Sequence, residues 1–148
     1  MMVPRQRLSD AIRAGAEIAP KTLKGRYIGE PQTSCPLGAA FLGSLDGAVV
    51  VHRFQVRALK DSPEYISTHI HGSLMKTFPQ LRCSVRDFPR LFKTLRQDCP
   101  GALRNGKYKS GGYTLTLYSS LFIVITRLHD EYDWSKQRIA ELLAEAGL

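Results

Sequence analysis

The fold is decided by residues 117–148, LYSSLFIVITRLHDEYDWSKQRIAELLAEAGL, the most apolar and best-punctuated stretch of the chain. Apolar residues recur in its first half at helical spacing, at positions 117, 121, 124, 125 and 128. This periodicity predicts a helix that buries one face against a core. Apolar residues alternate with threonine between Tyr113 and Tyr118, which leaves a strand open as the alternative for the segment leading into the helix.

A second helix is predicted after the polar residues HDEYD (129–133). Ser135 is a suitable N-cap, because its hydroxyl can accept a hydrogen bond from the first-turn amides. Trp134 and Ile139 flank that cap at the spacing of a hydrophobic staple. Gly147 suits the left-handed conformation that ends many helices. We therefore expect Trp134 to be buried between the last two helices.

The remainder of the chain predicts further helices and little sheet. Ser9 is a suitable N-cap for a first helix, and further helix signals begin near Cys35–Pro36, Ser62–Pro63 and Asp87. The last of these helices is predicted to carry Arg90, Lys93 and Arg96 on its outer side. The β-branched segment AVVVHRFQV (48–56) predicts a strand. No repeat or linker divides the 148 residues. We expect one domain, residues 1–148, that is mainly α with five or six helices and one or two minor strands, an α+β arrangement being the alternative.

Among the properties of the whole sequence, the net charge of +8 is the strongest indication of a partner. A basic surface attracts polyanions, chiefly nucleic acid, through the release of condensed counterions. Three cysteines form no disulfide framework and indicate a reducing compartment. The sequence lacks a run long enough to span a membrane and an apolar core behind its basic N-terminus, so we expect a cytoplasmic protein without membrane contact.

The segment from Arg104 to Tyr113 is the best functional candidate. It is predicted to be a flexible glycine-rich loop in which cations alternate with aromatic rings. Cations for phosphates and rings for bases are what recognition of a nucleic-acid backbone or single strand uses. A solvated turn would have the same composition. The candidate nucleic-acid-binding residues are Arg104, Lys107, Tyr108, Lys109 and Tyr113.

Catalytic and metal chemistry have weaker support. Cys35 precedes a predicted helix, where the dipole could activate a thiol, but no histidine is placed beside it by sequence. Cys83, Cys99 and His129 could converge on a metal, although their spacing does not require it. The chain has no phosphate-binding glycine motif, nucleophile elbow or metalloprotease motif. We therefore expect a non-enzymatic binding protein with no cofactor.

Three blocks near the two ends of the chain share a pattern with known sequences: LSDAIRAGAEIAPK (8–21), TSCPLGAAFLGSLDG (33–47) and ITRLHDEYDWSKQRIAELL (125–143). Through these blocks, both ends of the chain resemble an uncharacterised family of small bacterial and phage proteins. They are similar to that family's Ser-Cys-Ala-Leu-Gly-Ala-Ala-like helix and to its His-Leu-Asn-Asp-like stretch before a Trp-Ser-x-x-x-Ile-Ala helix. The resemblance implies a phage- or bacterium-encoded protein and no known activity. The alternative to nucleic-acid binding is a protein-interaction module, which would be an accessory, regulatory or virion-associated protein, and an acidic protein is then the expected partner of the basic chain.

The same resemblance bears on a zinc site. Relatives carry a Cys-Pro-x-Cys knuckle before the last helices, which implies a metal. Here Cys99–Pro100 keeps the first half of the knuckle, and Ala102 stands where the second cysteine would be. We therefore expect no structural zinc.

Overall fold

Six α-helices make up most of the residues that a computed structural model describes, which are 6–29, 33–44 and 63–148. Within residues 63–68, 105–110 and 113–116 the description covers the backbone alone. The predicted mainly helical class is confirmed. The helices are α1 (Leu8–Ile18), α2 (Pro36–Gly43), α3 (Pro63–Thr77), α4 (Pro89–Asp98), α5 (Leu121–Asp130) and α6 (Lys136–Glu145).

Short strands form two small sheets in the described ranges. In the first, β3 (Thr33–Ser34) lies between β1 (Lys21–Thr22), to which it is parallel, and β2 (Ile28–Gly29), to which it is antiparallel. The second is the antiparallel pair β4 (Arg104–Ser110) and β5 (Tyr113–Tyr118). The predicted strand over residues 48–56 lies outside the described residues.

Helix α2 is the central element of the core, and every residue from Pro36 to Leu42 is buried. Glycines let α1 approach it backbone to backbone. A Cβ atom added to Gly15 would lie 1.6 Å from the carbonyl oxygen of Ala39, and one added to Gly43 would lie 1.9 Å from that of Ala11. Because real Cβ atoms do not come within 3.0 Å of other heavy atoms, glycine is required at both positions.

Helix α1 begins one residue before the predicted cap. Its N-cap is Arg7, and Ser9 is buried within the first turn, so the prediction of Ser9 as the cap is wrong. The reason is tertiary, since the amide of Ser9 donates to the carbonyl oxygen of Leu148 at 3.1 Å. Helices α1 and α6 pack against each other and close the core.

The start of α6 follows the sequence prediction. The Ser135 hydroxyl accepts from the Arg138 amide at 3.1 Å, and Gly147 has a φ of 83°. Trp134 is 6% exposed and Ile139 is fully buried. The guanidinium of Arg138 lies 3.5 Å from the centre of the Trp134 ring, a cation–π contact that covers the outer side of the indole.

Helix α5 begins later than the apolar periodicity predicts. Its N-cap is Ser120, whose hydroxyl accepts from the Ile123 amide at 3.4 Å. Leu117 belongs to β5 and is 46% exposed, so its placement on the helical stripe is wrong. Pairing with β4 keeps the chain extended until Ser119, whose amide donates to the Leu103 carbonyl oxygen at 3.2 Å. The remaining stripe residues are buried as predicted: Leu121, Val124, Ile125 and Leu128.

Candidate nucleic-acid interface

The predicted basic loop is a β-hairpin. Residues Arg104–Ser110 and Tyr113–Tyr118 pair as antiparallel strands, so the loop interpretation is wrong and the strand alternative for Tyr113–Tyr118 is confirmed. Gly111 and Gly112 have φ values of 54° and 84°. Two consecutive positive φ angles are typical of the type I′ turn, whose twist matches that of paired strands. The glycines therefore specify a tight turn rather than a flexible segment.

The register divides the candidate residues between the two faces of the hairpin. Successive residues of a strand belong to opposite faces. Lys107 and Lys109 thus share one face by register, and Tyr108 and Tyr113 share the other. The two candidate lysines and the two candidate tyrosines therefore lie on opposite faces by register and are not interleaved on one surface, as the sequence suggested. The paired residues are Lys107–Thr116 and Lys109–Thr114 for the first face, and Tyr108–Leu115 and Ser110–Tyr113 for the second.

The base of the hairpin is fixed to α5 by Arg127. One guanidinium nitrogen donates to the carbonyl oxygen of Arg104 and, at 2.8 Å, to the hydroxyl of Ser119. That hydroxyl also donates to the Arg104 carbonyl oxygen, at 3.3 Å. The side chain of Arg104 is exposed. Its backbone is therefore held in place while its guanidinium remains accessible to a ligand.

The lysine face of the hairpin continues into a row of neighbouring side chains that we call the Arg–aromatic ladder: Arg86, Tyr118, Phe92 and Arg96. Tyr118 shares the face of Thr116 and Thr114 by alternation along β5. Its ring lies 4.9 Å from that of Phe92, edge to face at 90°. Arg86 lies over Tyr118 and Arg96 over Phe92, each at 5.7 Å from the ring centre.

Helix α4 contributes Phe92 and Arg96 to this ladder, and it has one buried and one exposed face. Leu91 and Leu95 are buried, and the predicted outer residues Arg90, Lys93 and Arg96 are exposed. The helix begins at Pro89, two residues after Asp87, near which its start was predicted, and it follows the 3₁₀ turn Val85–Asp87.

Sequence reasoning missed the ladder as a surface. Phe92 and Arg96 are four residues apart, the spacing at which helical side chains meet, and this local signal was available. The contact between Phe92 and Tyr118 joins residues from α4 and β5, and no local pattern indicates it. The assignment of the five candidate residues to nucleic acid stays a prediction.

Neither the possible metal site nor the possible cysteine nucleophile is formed in the described part of the chain. Cys83 is exposed and Cys99 is buried, and no group of three or more His, Cys, Asp or Glu residues within the described ranges is placed to hold a metal. The Cys35 sulfur caps α2 by accepting from the Gly38 amide at 3.3 Å. Burial nevertheless raises the pKa of the Cys35 thiol, which opposes its activation as a nucleophile.

Comparison of the chain with protein-family models, with curated proteins and with solved structures gave no match. The resemblance to the small bacterial and phage proteins therefore stays a prediction. Among the described residues, no helix is both long and apolar enough to cross a membrane.

Proposed function

We propose that the protein is a non-enzymatic binding protein that contacts nucleic acid, or another polyanion, through the Arg–aromatic ladder and the lysine face of the hairpin. The supporting observation is the ladder itself, in which two exposed guanidinium groups flank two half-buried rings. Guanidinium groups pair with phosphates, and aromatic rings can stack with unpaired bases.

The charge of the molecule favours this partner class. The chain carries 21 Lys and Arg residues against 13 Asp and Glu residues. Neither Arg86 nor Arg96 forms a salt bridge within the described residues, so both charges are available to a phosphate backbone. By register Lys107 and Lys109 extend the same side of the molecule. A cationic row of this kind binds with an affinity that falls steeply with salt.

The first experiment removes the hairpin cations. Replacing Arg104, Lys107 and Lys109 together with Ala should weaken binding and flatten the dependence of log K on log salt concentration. Each lost phosphate contact lowers the slope by about 0.9 on duplex DNA or about 0.7 on a single strand. Fluorescence anisotropy with labelled oligonucleotides would measure a total loss of roughly two to three units if all three residues make contact.

The second experiment removes the ladder cations. The double variant Arg86→Ala/Arg96→Ala should lower the same slope by roughly 1.4 to 1.8 units. Arg13→Ala/Lys76→Ala, which removes two exposed cations from α1 and α3, is the matched control and should leave the slope unchanged. Equal slope losses in both double variants would show diffuse attraction without a site. Absence of wild-type binding at about 50 mM salt, where phosphate contacts are strong, would refute the proposal.

A protein-interaction module is the second candidate, and Leu117 favours it. This leucine is 46% exposed, and by register it shares a hairpin face with Tyr113 and Leu115. An apolar strand face of this kind is suited to a protein partner. If nucleic acid does not bind, Leu117→Lys should abolish capture of the partner. The proposed location is the cytoplasm of a bacterial or host cell, in agreement with the free thiols of Cys35, Cys83 and Cys99.

A further inference from the structure

A pocket of about 240 Å³ lies away from the ladder, between the start of α2, one side of α5 and residues 25–27. Leu37, Tyr27 and Phe122 form its apolar walls, and Cys35 and Asp130 supply polar groups. Arg26, which is exposed, also lines it. An apolar cleft with a few convergent polar groups is the usual form of a small-molecule site.

The aromatic wall is held in a defined orientation. The Phe122 ring meets the Tyr27 ring edge to face at 6.4 Å and the His71 ring at 5.4 Å. The Tyr27 hydroxyl and the His71 Nδ1 atom are 3.3 Å apart. The backbone at Tyr27 lies directly on α2, since a Cβ added to Gly38 would lie 1.7 Å from the Tyr27 carbonyl oxygen. The pocket is therefore bounded by packed elements on both sides.

Asp130 supplies the carboxylate of the pocket, whose lining also includes the cation Arg26. Its Oδ2 atom accepts from the Gly25 amide at 3.2 Å, and its Oδ1 atom is 3.0 Å from Nδ1 of His129. Each carboxylate oxygen can accept about two hydrogen bonds, so each keeps one acceptor position. Asp130 also ends α5, where the helix dipole disfavours a negative charge. The nearby cation Lys24 is paired with Asp133 instead.

We propose that this pocket binds a small planar molecule that carries an amidine-like pair of N–H donors. The donor pair would face the Asp130 carboxylate, and the ring would lie against Phe122. A carboxylate accepts two parallel N–H bonds from a planar donor pair, and the charge makes such bonds stronger than neutral ones. Amidines and the guanine ring both present this pair. The site is separate from the proposed nucleic-acid surface and does not depend on it.

The test uses benzamidine as the probe. Benzoate is the control compound, because it has the same shape but the opposite charge and no N–H donors. Two-dimensional ¹H–¹⁵N NMR would follow the Gly25 amide, because that amide donates to Asp130. Benzamidine should shift the Gly25 resonance in a saturable manner, and benzoate should not. A guanosine titration identifies the source of the donor pair: tighter binding than benzamidine indicates a nucleobase ligand, and weaker binding indicates an amidine.

The variant Asp130→Asn should weaken benzamidine binding by about tenfold or more, because a bond to a charged group is lost. Asp98→Asn is the matched control, since it removes the same charge from the exposed last residue of α4, whose side chain does not line the pocket. Phe122→Leu, which keeps an apolar side chain but removes the ring, should weaken binding several-fold even if Asp130→Asn fails to fold. Binding of benzoate equal to that of benzamidine, binding of neither, or equal effects of the two Asp variants would overturn the proposal.

Discussion

Gly15→Ala tests the backbone packing of α1 on α2, on which the core depends. The added methyl group would lie 1.6 Å from the Ala39 carbonyl oxygen. Contacts below 3.0 Å do not occur for real Cβ atoms, so the two backbones must separate by at least 1.4 Å, the difference between those distances. The oxygen atom that the methyl group would meet belongs to the backbone of Ala39, which is fully buried, and it cannot rotate away.

Two opposing effects set the change in the free energy of unfolding that Gly15→Ala causes. Alanine is favoured over glycine inside a helix by roughly 0.5–1 kcal/mol. Overpacking of a core costs about 1–3 kcal/mol, and a rigid backbone contact belongs at the upper end of that range. The free energy of unfolding should therefore fall by about 2 kcal/mol, the difference between the two effects.

Gly72→Ala is the matched control within α3. Gly72 is exposed, and a Cβ atom added there meets nothing within 4 Å, so only the helix preference acts. This variant should gain roughly 0.5–1 kcal/mol. Urea unfolding followed by circular dichroism would compare the two proteins, provided that their m-values agree. A Gly15→Ala protein as stable as the wild type would refute the close packing of α1 on α2.

Four further outcomes are expected. Trp134→Ala should lower the free energy of unfolding by roughly 3–5 kcal/mol, as for large aromatic truncations in cores; a loss below about 1 kcal/mol in urea unfolding would show that the ring is not a core element. Ser135→Ala should cost about 0.5–2 kcal/mol through the lost cap, measurable by thermal unfolding. Burial raises the pKa of Tyr27 from 10.0 to about 12, so the folded protein keeps a proton that the unfolded chain loses. Stability should therefore decrease as the pH rises from 10 toward 12, and Tyr27→Phe should remove that part of the decrease in denaturant titrations. Metal analysis of protein purified without a chelator should find well under one equivalent of zinc, and a stoichiometric zinc that survives dialysis would contradict the reasoning from Ala102.

The sequence was most informative where local chemistry and tertiary packing agree. The Ser135 cap, the buried Trp134 and the left-handed Gly147 could all be predicted, because each depends on residues within one or two helical turns. It was misleading at Leu117, whose spacing matches the helical stripe. Pairing with β4 overrides that periodicity, and strand pairing depends on a segment distant in sequence.

At the candidate site, too, local features could be predicted from the sequence and contacts between distant segments could not. The cations at 104, 107 and 109 were visible as a cluster, but their arrangement depends on the strand register. A shift by one residue would exchange the faces of lysines and tyrosines, and composition contains no information on that choice. The pairing of Tyr118 with Phe92 and the placement of Asp130 beside Gly25 both join distant segments. Such contacts follow from the fold rather than from a motif.

The hydrogen bond between Ser9 and Leu148 has a consequence for the order of events during synthesis. Helices α1 and α2 leave the ribosome early and are close enough in sequence to pair at once. The surface of α1 that α6 covers has no partner until α6 has been translated. A nascent chain therefore leaves that surface of α1 exposed while the segments between the two helices are made, and it is covered only when α6 docks onto it.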